Sequence, residues 1–401
     1  MSKPATTPFL PYARQSITDG DVQAVIDVLR SDWLTTGPGV PTFERALAQA
    51  VDAKEAVACA NGTAALHLAL TALDVEPGSV AVVPAITFVA TANAARLVGM
   101  EVVFADVDAR TGLMTPESFE DALRRAAGKP VRVVLPVDLA GQTPAKVEIA
   151  AIATRRGITV VDDSAHAVGS AYEADGAWHP VGSARHAAMA SFSFHAVKNI
   201  TTGEGGAVCT NDGTLAARLR LLRNHGLTRD AADYVTDEGR NSAPSWYYEL
   251  VEPAFNYRLT DFQCALGVHQ LQRLPEMRTR RAALADRYDQ ALRHMAPVVR
   301  TPVRVPNCRP CWHLYAVHID FAAAGRSRQR VVDIMRAHGV GTQVHYIPVY
   351  RHPYYQRHGA PTRLPGAEAY YAGTLSLPMF ASMRDEDCDR AVAALARALS
   401  A

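Results

Sequence analysis

Ile158-Thr159-Val160-Val161-Asp162-Asp163-Ser164-Ala165-His166 is a short apolar and β-branched run that stops at two adjacent carboxylates. Such a run reads as a buried strand, and its acids fall at the carboxyl end, where open α/β sheets meet their ligands. Reading outward, helical patterns at Pro144–Arg156, Pro116–Ala127 and Thr87–Val98 alternate with strand-like runs at Val131–Val137, Val102–Ala105 and Val80–Val83. Thr115 before Pro116 is a helix start, a capping hydroxyl followed by proline in the first turn. Asn61-Gly62-Thr63 opens another helix with Leu66, Ala69, Leu70 and Leu73 on one face, and Thr18 can cap one carrying Val22, Val25, Ile26 and Leu29. This alternation predicts an α/β fold, a largely parallel sheet with helices on both faces.

From about Pro275 the pattern changes. Arg278–Met295 reads as a long charged helix, Leu314–Ile319 as a strand, Arg328–His338 as a helix, Gly341–Val349 as extended chain and Asp385–Leu399 as a closing helix. Two domains are expected: residues 1–270, an N-terminal arm with the large α/β domain, and 271–401, a smaller α+β domain. The length of 401 residues suits two or three cores.

Lys+Arg 41 against Asp+Glu 40 gives a net charge of +1, so no strong field draws the chain to nucleic acid or an anionic membrane. Met1–Gln15 lacks the apolar core of a signal peptide, and Pro84, Asn93 and Arg96 break the longest apolar stretch, Ala81–Met100. A soluble, cytoplasmic protein without nucleic-acid or membrane partners is expected. Six cysteines are too few for a disulfide scaffold. Cys308-x-x-Cys311 with His313 lacks a second ligand pair, so packed thiols are expected there and no metal.

The chemistry gathers on Ser193-Phe194-His195-Ala196-Val197-Lys198-Asn199 and the glycine-rich Thr201–Gly206. The chain has five lysines, at positions 3, 54, 129, 146 and 198, and Lys198 alone lies between strand-like runs beside a glycine-rich turn. There it can lose its proton and act as an amine nucleophile. Taken singly, each companion has an ordinary structural explanation: a capped helix at Asn61-Gly62-Thr63, a core Phe88, a surface turn at Asp162-Asp163. Together they supply what pyridoxal 5'-phosphate (PLP) needs: an amine for its aldehyde, N–H donors for its phosphate, an aromatic face and an acid for its ring nitrogen. No complete G-x-G-x-x-G or G-x-x-x-x-G-K-[ST] points to a nicotinamide or P-loop site.

From Phe9 onward the chain resembles the nucleotide-sugar aminotransferases of the DegT/DnrJ/EryC/StrS family. The match is carried by Ser31–Pro38, Asn61-Gly62-Thr63, Pro84–Thr91, Asp162-Asp163, Ser193–Gly206 and Phe255–Asp261. Within the family, Phe9–Tyr12, Ser193–Lys198, Gln343–Tyr350 and Pro353–Tyr355 look most like the UDP-4-amino-4,6-dideoxy-N-acetyl-β-L-altrosamine transaminases of pseudaminic acid biosynthesis. The resemblance implies the PLP-dependent transferase fold of the aspartate-aminotransferase type (fold type I), a mostly parallel mixed sheet in the large domain, and a homodimer with shared sites. It implies Lys198 as the Schiff-base lysine, Asp163 as partner of the ring nitrogen and His166 near the ring hydroxyl. Gly62, Thr63 and Ser193 are implied as phosphate ligands, Phe88 as the stacking aromatic, and Asn256 as a phosphate contact of the neighbouring subunit. Tyr12, Trp33, Leu34, Thr35, His313, Tyr315 and His345 are candidates for holding the sugar nucleotide. L-Glutamate is expected to supply the amino group to C4 of a keto-deoxy nucleotide sugar. Three departures stand out: Asp162 for the commoner Glu, Asp138-Leu139 for His-Phe, and Asn199 after Lys198. Transfer to a different GDP-, dTDP- or UDP-keto-deoxy sugar, a sugar dehydratase, which replaces the lysine by histidine, and a non-catalytic regulator are the alternatives.

Overall fold

In the computed structural model, which describes residues 8–126, 128–360 and 363–400, seven short strands build one sheet. They are β1 (Glu55–Cys59), β2 (Val80–Pro84), β3 (Glu101–Ala105), β4 (Val131–Val134), β5 (Thr159–Asp163), β6 (Met189–Ser193) and β7 (Gly206–Thr210). Their order is β1-β7-β6-β5-β4-β2-β3. Neighbours from β3 to β6 pair in parallel, and β7 is antiparallel to both β6 and β1. The expected mostly parallel mixed sheet is therefore present.

Successive residues of each strand enter opposite layers. Val161 of β5 packs with α3 (Gly62–Ala72), α4 (Val89–Leu97) and α7 (Gly213–Arg223), whereas Val160 packs with α5 (Pro116–Arg125) and α6 (Lys146–Arg155). Both faces are covered, which is why the strand sequences are apolar without alternation. Each fully buried valine contributes about 1.5–3 kcal/mol. The run expected over Val131–Val137 pairs as a strand only to Val134, since Pro136 cannot donate to a ladder. Beyond it, Val137 makes one bridge to Asp163. Thr115 and Ser118 form a capping box for α5, and Thr18 and Asp21 form one for α1 (Asp19–Leu29).

The helix expected at Arg278–Met295 begins much earlier. It is α8 (Asp261–Ala291), 31 residues long with Pro275 inside it. That proline reads as a boundary in the sequence, yet the helix continues because both of its halves are packed. Cys264, Leu271, Leu274 and Met277 join a large-domain core with Phe43 of α2 (Gly39–Val51), while Leu284, Ala285 and Tyr288 belong to the small-domain core. The expected division at 270/271 thus falls inside α8. The small domain carries a three-stranded antiparallel sheet of β8 (Val299–Arg300), β9 (Tyr315–Ile319) and β10 (Thr374–Leu377), with α9 (Arg328–Ala337) and α10 (Asp385–Ser400). No helix among the described residues is long and apolar enough to cross a membrane.

Candidate active site

The carboxyl ends of β2, β5 and β6 and the start of α3 open on the same edge of the sheet. Lys198 lies in the turn after β6, its backbone N–H bonded to the His195 carbonyl at 2.9 Å. Burial lowers its ammonium pKa to about 8, against a smaller opposing pull from Asp163. About a tenth of this amine is uncharged at pH 7, far more than for an ordinary lysine, as a nucleophile or proton carrier requires.

The start of α3 forms a cradle. Asn61 caps the helix by accepting the Ala64 N–H at 2.8 Å, and the Gly62 and Thr63 N–H groups find no acceptor among the described residues. A Cβ on Gly62 would stand 2.7 Å from the Ser193 Cβ and 3.1 Å from its hydroxyl, so only glycine lets β6 approach so closely. Free N–H groups, a helix dipole and a hydroxyl converge here, which fits a phosphate. Phe88, at the N-terminus of α4, is 56% exposed, with its ring 6.1 Å from that of Tyr346. An aromatic side chain left open at the head of α4 fits a planar ring.

Asp162 and Asp163 point to opposite sides of β5, and their surroundings differ accordingly. Asp163 accepts a hydrogen bond from the Thr91 hydroxyl at 2.7 Å and one from the Ala165 N–H at 3.1 Å. Burial still raises its carboxyl pKa, with those bonds and Lys198 opposing. It is an acid on the Lys198 side that would gain from a cation, which suits a protonated ring nitrogen. Asp162 instead accepts from Lys146 at 2.8 Å on the sealed side. The residues present fit PLP.

His166, His313 and His345 are all buried near Lys198. The His166 Nδ1 accepts from the Ala140 N–H at 3.3 Å, and its Nε2 meets the Tyr346 hydroxyl at 3.1 Å. The His313 ring lies 4.4 Å from that of His166, and its Nδ1 has no hydrogen-bond partner among the described residues. The His345 Nδ1 bonds to the Ser376 hydroxyl at 2.8 Å. Burial holds all three imidazoles neutral, His345 down to about 3 and the others well below the usual range. The Tyr12 ring sits 5.7 Å from His345.

The sugar candidates divide. His313 and His345 lie near Lys198, and Tyr12 sits against His345. Trp33, Leu34 and Thr35 are exposed on the loop before α2, held against α8 by the Asp261 N–H to Leu34 carbonyl bond at 3.0 Å and by a bridge from Thr35 to Thr260. Tyr315 does not belong with either group. It is fully buried in the small-domain core, stacked on Tyr288 at 4.7 Å with its hydroxyl bonded to Asp289, because both faces of β9 are covered. Asn256 lies on exposed chain, accepting the Arg258 N–H at 3.3 Å. Cys308 and Cys311 are buried free thiols, and the Cys311 carbonyl accepts from Asn199 at 2.9 Å. Sequence reasoning passed over Thr91, Tyr346 and Lys146. Thr91 stands one helical turn after Phe88, a spacing that could have pointed to it.

Comparison with known proteins gives one consistent picture. The model of the DegT/DnrJ/EryC1/StrS aminotransferase family matches residues 15–396. The spore coat polysaccharide biosynthesis protein SpsC of Bacillus subtilis is 38% identical over 390 residues, 96% of each chain. Helicobacter pylori PseC, an aminotransferase of pseudaminic acid biosynthesis, superposes with a TM-score of 0.87 at 28% identity, covering 98% of this chain and 99% of that one. The PLP form of Spr1654 from Streptococcus pneumoniae superposes with a TM-score of 0.85 at 29% identity, covering 98% of each chain.

Proposed function

Because this chain belongs to the DegT/DnrJ/EryC1/StrS aminotransferase family, whose cofactor is pyridoxal 5'-phosphate, we propose that it moves the amino group of L-glutamate to C4 of a UDP-4-keto-6-deoxy-N-acetyl-hexosamine. The observation that carries the reading is the half-buried Lys198, its ammonium pKa lowered and Asp163 close enough to act on it, on the same sheet edge as the open cradle of Gly62, Thr63 and Ser193.

Bound PLP supplies an aldehyde that takes up amino nitrogen and a ring that accepts carbanion electrons. Lys198 would be its attachment point, and the free Nζ would serve as the base that takes the α-proton of the amino acid and returns it as an acid. Asp163 holds the proton of the ring nitrogen. The Gly62 and Thr63 N–H groups and the Ser193 hydroxyl hold the phosphate, and Phe88 offers its face to the ring. His166, neutral and fixed by the Ala140 N–H, turns its Nε2 toward Tyr346 and would lie near the ring hydroxyl. Tyr12, His313 and His345 line the side from which the sugar enters. Asn256 is assigned to the neighbouring subunit's site in a homodimer, and Trp33, Leu34 and Thr35 to holding the sugar nucleotide, in keeping with their exposure. Buried free thiols suit the reducing cytoplasm.

Likeness to PseC supports a pseudaminic-type sugar, whereas the higher identity to SpsC supports another keto-deoxy sugar destined for a surface polysaccharide. The pure enzyme with glutamate and a panel of 4-keto nucleotide sugars decides between them by product NMR. Aminated sugar with equimolar 2-oxoglutarate is expected; a deoxygenated sugar with no glutamate consumed would overturn the reading. For the shared site, mixing Lys198→Ala chains with Asn256→Ala chains should restore activity, since one site of each mixed dimer is intact. No recovery after verified subunit exchange would refute it.

A further inference from the structure

Behind Asp163, on the sealed side of β5, lies a group of charges that the reaction above leaves unused. Asp138 and Ser164 are fully buried, and Lys146 and Asp162 are each 6% exposed. The Lys146 Nζ is 2.9 Å from Asp138 and 2.8 Å from Asp162, and the Ser164 hydroxyl donates to Asp138 at 2.7 Å. Burial raises the Asp138 carboxyl pKa against the pull of Lys146, and above that titration the cluster carries one more carboxylate than ammonium. Taking ions out of water costs several kcal/mol each, and apolar residues of the same volume are often as stable, so stability alone is a weak account of the cluster.

Its backbone is tied to the site. The Asp138 N–H donates to the Asp163 carbonyl at 2.9 Å, and the Asp163 N–H donates to the Pro136 carbonyl at 2.8 Å. Two residues on, Ala140 gives its N–H to His166 and its carbonyl to the His313 N–H at 3.0 Å. The Asp162 charge acts on Asp163 in the direction that raises its carboxyl pKa, and the same field favours a cation beside Asp163. The cluster also faces Tyr172, whose ring lies 5.8 Å from the Lys146 Nζ and whose hydroxyl bonds to His186, and the buried Cys308 thiol. On the open side Asp163 faces Lys198 and Tyr346.

We propose that Asp138, Lys146 and Asp162 are positioning residues that fix the Asp163–His166 edge and, through their surplus negative charge, favour the protonated ring nitrogen of the bound cofactor. The inference rests on the assignment of Asp163 to that nitrogen. Asp138→Asn tests it, since it keeps an acceptor for Lys146 and Ser164 but takes the cluster from net −1 to neutral. In the PLP-loaded enzyme, the pH midpoint of ring-nitrogen protonation, read by nitrogen NMR with labelled cofactor, is expected to fall by about one unit. Asp138→Glu, which keeps the charge, should hold the parental midpoint. A lowered melting temperature with an unmoved midpoint would overturn the proposal and leave the cluster a structural one. If Asp138→Asn does not fold, Asp162→Asn removes the same charge and is read the same way. Asp163→Asn separates the two levels. An unmoved nitrogen signal in that variant would refute the Asp163 assignment itself, whereas a signal that responds to Asp163→Asn but not to Asp138→Asn defeats the cluster alone.

Discussion

Lys198 and Lys146 stand on opposite sides of the Asp162–Asp163 pair, each withdrawn from bulk water beside a strand-end aspartate. Burial pushes both ammonium groups toward the neutral form, yet the outcomes diverge. Lys198 falls to about 8, whereas Lys146 is raised above its ordinary value. The difference is the number of acids in direct contact. Lys146 has two carboxylates within hydrogen-bond distance, and Lys198 feels Asp163 through space without a direct bond. A desolvated lysine is therefore inert or reactive according to its acid partners, and desolvation alone does not decide it.

The strongest way to break this contrast is Lys198→Ala, which should lower transamination by at least about 10⁴-fold. Borohydride reduction and peptide mapping of the parent should find the cofactor on Lys198, and a label on Lys146 would reverse the two roles. Asp163→Asn should lower turnover by about 10²–10³-fold with cofactor still bound, while Asp162→Asn should cost less than about tenfold. Equal losses in steady-state assays would mean that the two faces of β5 are not distinct. Lys146→Met leaves two buried carboxylates without a cation and should cost about 3–5 kcal/mol in denaturant unfolding. Those acids then have raised pKa values in the folded state, so their contribution is present below the unfolded value of about 4 and lost as pH rises through the folded values. The variant's deficit should accordingly be greater at pH 8 than at pH 5. At the small end, Tyr315→Phe should leave turnover within about twofold and remove about 1 kcal/mol, the bond to Asp289. A large KM change on sugar would return Tyr315 to the site.

The strand end at Asp163, the helix start at Gly62 and the turn at Lys198 are legible because each is a local motif, and the structure brings all three to one sheet edge. The parallel sheet was legible from the alternation of apolar runs and helical patterns. Partners across long separations were not. The Tyr346–His166 contact joins positions 180 residues apart, and Lys146 meets acids 8 and 16 residues away through a fold that no spacing announces. The burial of Tyr315 against Tyr288 is not legible either, because an aromatic near His313 gives no sign of which way its strand side chain turns. The first half of α8 was hidden by Pro275, which marks a boundary in an isolated helix but not in one clamped along its length.

That clamping bears on how the molecule comes apart. Since α8 supplies side chains to a core at each end, neither domain keeps an intact interior without it, and a chain divided at residue 270 would leave both halves with an open seam. Buried Arg281 reinforces the join by donating to the Trp312 and Met379 carbonyls. Melting should consequently be a single cooperative event seen alike by heat capacity and by fluorescence, although the molecule carries two cores. The two lobes fold and fail as one.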